Sequence, residues 1–129
     1  MIKVYLYFTI GSSDKDPSML SEILEAEPTG IVLKSRPSPP ARVNLWRIDT
    51  GEIINSLDIR DHWKCLEEMI GDKAKVIEKL TEEWVVKLDI VVETRSGEFP
   101  DIHIPGALLK FVSDSRTILD ICEYDISSD

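Results

Sequence analysis

Apolar and polar side chains alternate through the first ten positions. Ile2, Val4, Leu6, Phe8 and Ile10 take turns with Lys3, Tyr5, Tyr7 and Thr9. That is the period of a strand with one face in a core, so a strand over 2–10 is predicted. Gly11 to Asp16 forms a turn. Asp16 suits a helix N-cap and Pro17 the first helical position, which predicts a short helix over 17–25. Met19, Leu20, Ile23 and Leu24 are its expected apolar stripe, and Glu27-Pro28-Thr29-Gly30 ends it. Residues 30–34 read as a short second strand. Residues 35–42 hold three prolines and two arginines, the composition of an exposed loop. A third strand over 43–49 sets Asn44, Trp46 and Ile48 on one face and Leu45, Arg47 and Asp49 on the other.

From about residue 58 to residue 84 the period becomes helical. Ile59, Trp63, Leu66 and Ile70 form one stripe, and Ala74, Ile77, Leu80 and Trp84 form the next. Gly71-Asp72 falls between them, so two consecutive helices are predicted, with Asp72 as the cap of the second. Residues 85–94 return to strand alternation, with Val86, Leu88, Ile90 and Val92 facing one way. A turn over 95–100, a short helix over 105–112 with Leu108, Leu109 and Phe111 on its apolar side, and a last strand over 117–126 complete the chain. The order is β-α-β-β-α-α-β-α-β. Strand, proline-initiated helix and strand occur at 2–34 and again at 85–126, a faint internal echo. The expected fold is α+β and ferredoxin-like, an antiparallel or mixed sheet with helices on one face. Trp46, Trp63, Leu88 and Ile90 are expected in its core.

A chain of 129 residues is the size of one domain, and 43% hydrophobic and 30% charged residues are proportions that fold. Twenty-four acidic against fifteen basic residues leave a net charge of −9. Such a surface repels phosphate backbones and speeds the approach of basic partners. The apolar N-terminus is too short to span a bilayer and lacks a basic segment and cleavage site, so a cytoplasmic protein is expected. Cys65 and Cys122, without a CxxC spacing, read as small buried hydrophobes.

Catalytic chemistry is not legible. His62 and Cys65 share a helix face, with His103 far along the chain, and two ligands are too few for a metal. No nucleophile elbow, Walker loop or dinucleotide fingerprint occurs. The acidic pairs Glu67-Glu68 and Glu82-Glu83 are adjacent residues, which diverge on a helix and read as solvated faces. The sequence therefore predicts no catalytic residue, no metal and no cofactor.

Two features stand out. If helices cover one side of the sheet, Lys3, Tyr5, Tyr7, Arg47, Asp49, Lys87, Asp89, Val91 and Glu93 share the other, and tyrosines among mixed charges suit a binding surface. The C-terminal stretch carries Asp114, Asp120, Glu123, Asp125 and Asp129 against one base, Arg116. The expected partner-binding residues are Tyr5, Tyr7, Arg47, Asp89, Glu93, Glu123 and Asp125. Charge reversals at Asp89, Glu93, Glu123 and Asp125 are expected to leave the fold intact, as at exposed positions.

Four stretches carry a family likeness: YFTIGSSDKDPSMLSEILEAEPT at 7–29, NLWRIDTG at 44–51, LEEMIGDKAKVIEKLTEEW at 66–84 and IHIPGALLKFVSDSRTILDICEYDI at 102–126. In their order and spacing the chain resembles the small bacterial domain-of-unknown-function family 4279. The resemblance implies no established activity and carries over no functional residue. Related small domains occur beside secreted bacterial toxins, which implies an immunity role for some. The leading expectation is thus a non-catalytic protein-binding module, an immunity protein neutralising a basic toxin domain. The alternative is a sensor or enzyme domain holding a small anion near the proline-rich loop 35–43, where Lys34, Arg36, Arg42 and Arg47 gather. A third reading is a homodimer formed through the sheet.

Overall fold

The computed structural model describes residues 2–34, 43–95 and 97–126. The proline-rich segment over 35–42 lies outside the described residues. In chain order the elements are β1 (Lys3–Ser12), a 3-10 turn (Pro17–Met19) running into α1 (Leu20–Leu24), β2 (Gly30–Val32), β3 (Asn44–Asp49), a 3-10 turn (Thr50–Glu52), α2 (Ile59–Ile70), α3 (Ala74–Leu80), β4 (Val85–Thr94), α4 (Gly106–Ser115) and β5 (Ile118–Asp125). The five strands form one mixed sheet in the order β2-β3-β1-β4-β5. This is the α+β class and the element order that the periodicity predicts.

The internal echo resolves into two different units. β1 pairs antiparallel with β3, and β3 pairs antiparallel with β2. β1 and β2 therefore run parallel with β3 inserted between them, a split β-α-β unit. In the second unit β4 and β5 pair directly and in parallel, joined by α4. The halves share an element order, but only the first is split.

In β1, β3 and β4 the even-numbered residues point to the helices. Val4, Leu6, Phe8 and Ile10 of β1, Trp46 and Ile48 of β3, and Val86, Leu88, Ile90 and Val92 of β4 are buried. They pack with Leu20 and Leu24 of α1, Ile59, Trp63, Leu66 and Ile70 of α2, Ile77 of α3, and Leu108 and Phe111 of α4. Phe8 meets the Trp46 ring edge-on at 6.4 Å between centroids, and Phe111 lies 5.4 Å from Trp63. Such tilted pairs add to the area they bury. The indole Nε1 of Trp46 donates to Ser21 Oγ at 3.1 Å, so the polar tip is satisfied inside the core.

Three local expectations change. Met19 and Ile23 are exposed, because α1 has only five residues and turns just Leu20 and Leu24 inward. Leu109 is also exposed, since it sits on the outer side of α4 between the inward Leu108 and Phe111. Asp72 does not cap α3. Gly71 keeps right-handed helical angles, which carries the chain one residue further, so Lys73 occupies the cap position without a side-chain hydrogen bond. Asp16 does cap its turn, accepting from Ser18 N at 2.9 Å.

Candidate interaction surface

Because every described helix packs on one side, the odd-numbered residues of β1, β3 and β4 and the even-numbered ones of β2 and β5 form an open face. The register stacks them in rows. One row runs from Gly30 through Arg47, Thr9 and Lys87 to Ile118. The next holds Asp49, Tyr7, Asp89 and Asp120, three carboxylates around one phenol. Tyr5, Val91 and Cys122 follow, then Lys3, Glu93 and Tyr124.

Acidic and basic rows adjoin, and their charges pair. Lys87 Nζ lies 2.9 Å from Asp120 and 3.5 Å from Asp89 Oδ1. Arg47 reaches Glu52 at 3.3 Å and Asp49 at 4.0 Å. Gly30 makes room for that arginine, since a Cβ there would stand 3.0 Å from its guanidinium. Tyr5 donates its hydroxyl to Glu93 Oε2 at 3.0 Å, and Lys3 lies over the Tyr5 ring at 5.4 Å.

The face is close-packed. Val91 is buried and Asp89 retains 16% of its side-chain exposure, though no helix among the described residues covers either. Burial pushes the carboxyls of Asp49 and Asp89 above the usual carboxylate range, against the pull of Gly51 N–H on the first and Lys87 on the second. Burial likewise raises the Tyr7 hydroxyl, opposed by Arg47. Tyr5 is raised further, by burial first and by its bond to Glu93 second. Burial and then the neighbouring Asp89 raise the Cys122 thiol, which disfavours the thiolate a nucleophile requires. Asp89 Oδ1 is buried without an aligned hydrogen-bond donor, the Lys87 contact at 3.5 Å being an ion pair only.

Five of the seven expected partner-binding residues, Tyr5, Tyr7, Arg47, Asp89 and Glu93, meet on this face. Glu123 and Asp125 do not join them. They stand in register with Val92 and Thr94, which places them on the helix side of β5. Asp89 is half-buried, so a lysine there would not be a mild change. β5 brings Asp120, Cys122 and Tyr124 to the open face, and these three were missing from the expected set. Their alternation was visible in the sequence, but the parallel pairing of β5 with β4 was not. Arg47 is engaged with acidic neighbours, which removes it from the anion patch expected near the proline-rich loop; Arg36 and Arg42 of that patch lie outside the described residues.

His62, which shares a helix face with Cys65, is buried at 1% exposure. Its Nε2 faces the Ser56 carbonyl at 2.8 Å, so it donates there, and its Nδ1 lies 2.6 Å from Thr50 Oγ1. Thr50 Oγ1 also accepts from Leu6 N at 2.9 Å. β3 ends at Asp49, and the threonine hydroxyl takes over the donor of Leu6 that β3 leaves behind. The network pins β1 to α2. The signal for it was present, since His62 stands three residues after Ile59 on the buried stripe of α2. Among the described residues no group of three His, Cys, Asp or Glu side chains could hold a metal ion. Among them, too, no helix is long and apolar enough to cross a membrane.

The family model described as Domain of unknown function (DUF4279) matches residues 2–126. No curated protein and no solved structure matches the chain.

Proposed function

We propose that this chain, which belongs to the DUF4279 family, is a non-catalytic protein-binding module, and that it serves as a bacterial immunity protein neutralising a basic toxin domain. The observation that carries the reading is the open face of the sheet. Tyr5, Tyr7 and Tyr124 lie there among paired charges on a surface that, among the described residues, no helix covers. Tyrosine supplies large contact area at small entropic cost and a polar tip that tolerates water before the partner arrives. The net charge of −9 steers a basic partner toward it. Small toxin domains that degrade nucleic acid are basic where substrate binds, which makes them partners of fitting charge.

The test begins with the neighbouring genes, where a toxin domain is expected and whose lack of one would contradict the immunity reading, and continues with protection of bacterial cells that produce that domain. The parent chain is expected to protect. Tyr124→Ala, at a residue 54% exposed, is expected to stay folded and protect poorly. Glu67→Lys, on the exposed face of α2, and Glu82→Lys, in the exposed turn after α3 rather than on a helix, are expected to protect as the parent does. Full protection by the Tyr124 variant, or its loss in the Glu67 and Glu82 variants, would contradict the assignment of the binding face.

A further inference from the structure

β5 ends the sheet, and no strand lies beyond it among the described residues. The other edge strand, β2, has three residues; β5 has eight. Ile126 N donates to Thr94 O at 2.8 Å, which aims the backbone of even-numbered positions at β4. By the alternation of a strand, Leu119, Ile121 and Glu123 direct their N–H and C=O groups outward. Six of the eight side chains are exposed, among them Ile118 at 51%, Ile121 at 59% and Tyr124 at 54%. Long edges of this kind pair readily with another chain and are usually shortened, bulged or covered.

Charge identifies the occupant. β5 carries Asp120, Glu123 and Asp125 and no base. A second copy paired edge to edge would align two such acidic strands on molecules that each carry −9. Asp120 is held by Lys87 at 2.9 Å, and Glu123, exposed on the helix side, attracts lysine and arginine from a basic strand. From this edge we infer that β5 accepts an extended basic segment of the partner as a sixth strand, with backbone hydrogen bonds at Leu119, Ile121 and Glu123. Apolar side chains of the added strand lie on the open face beside Ile118 and Tyr124, and its basic ones lie on the helix side, facing Glu123. This is strand addition, in which the backbone supplies affinity and alternate side chains supply selectivity. It rests on the protein-binding reading above and adds a second contact, at the rim of the open face.

The probe is a blocked peptide of alternating lysine and valine with the length of β5, titrated into the whole chain and followed by amide spectra and hydrogen exchange. Binding is expected to slow exchange at Leu119, Ile121 and Glu123 by roughly tenfold or more. Methylating alternate peptide nitrogens, which keeps the charge and removes the ladder, is expected to weaken binding roughly tenfold or more. Ile121→Pro should do the same, since an edge strand tolerates proline where its N–H faces outward. Glu123→Lys should transfer preference to a glutamate–valine peptide. Binding that ignores N-methylation, absence of binding, or perturbation confined to Tyr5 and Tyr7 would overturn strand addition. Those results leave the toxin-protection test, which does not use the peptide, to decide the module reading separately. A dimeric mass by sedimentation together with protected β5 amides in the peptide-free protein would also overturn it, by giving the edge to a second copy.

Discussion

Thr50 and Asp89 show how much depends on single polar atoms. The Thr50 hydroxyl serves Leu6 N and His62 Nδ1 in a buried site. Thr50→Val keeps the shape and leaves both groups unpaired, so it is expected to cost roughly 1–3 kcal/mol in urea denaturation, whereas Thr50→Ser should cost much less. An unchanged midpoint in Thr50→Val would mean that the network adds nothing to the fold. Asp89 behaves differently because its carboxyl is raised, by burial first, despite Lys87. A carboxyl with a raised folded pKa lends stability while protonated. That stability is fully present below the ordinary carboxylate range and is lost as pH rises through the folded value. Asp89→Asn removes this loss, so the variant's stability relative to the parent is expected to increase from about pH 3 to about pH 7. Equal pH dependence in parent and variant would show that Asp89 is solvated in solution. Apolar side chains in the core contribute more. Leu88 is fully buried, and Leu88→Ala is expected to cost about 2–5 kcal/mol, because a cavity adds to the lost transfer energy.

Helix ends separate two aspartates that look alike in the sequence. Asp58 accepts from Arg60 N at 2.9 Å at the start of α2, and its carboxyl is held below the usual range, chiefly by the Arg60 side chain. Asp72 stands one residue before the cap position of α3. Asp58→Ala is expected to lower the thermal midpoint, and Asp72→Ala to leave it in place; the opposite order would contradict the assigned caps. The part of Asp58's effect that comes from its depressed carboxyl should be present above the ordinary carboxylate range and fade as pH falls through the folded value. The strands were the most legible elements. β4 falls where the alternation from Val85 to Thr94 places it, because two-residue periodicity over ten positions has few competing explanations. Helix faces were less legible where the helix is short, as with Met19 and Ile23 in α1. Strand order was illegible. Nothing local tells Ile118 to pair beside Lys87, and the open face therefore lacked Asp120, Cys122 and Tyr124 until β5 was placed. The same gap misplaced Glu123 and Asp125, whose acidity was visible but whose side of the sheet was not.

At the scale of the whole molecule, one layer of helices covers one face of the sheet and, among the described residues, leaves the other open, with the acidic β5 at its rim. Charges on the open face are largely paired among themselves, so specificity there rests on the tyrosines and on shape. The unbalanced charge belongs to the rest of the surface and acts at longer range. Association with a basic partner should accordingly slow as salt rises from about 0.01 M to about 0.15 M and the screening length falls from ~30 Å to ~8 Å. A rate independent of salt would make the charge a matter of solubility alone. The most direct test of the central claim is an amide-shift map of this chain in complex with the basic toxin domain proposed as its partner. The account predicts that the perturbed positions cluster at Tyr5, Tyr7, Cys122 and Tyr124 and continue along β5. Perturbations gathered instead at Glu67, Lys75 and Glu82, on the helical side, would contradict it.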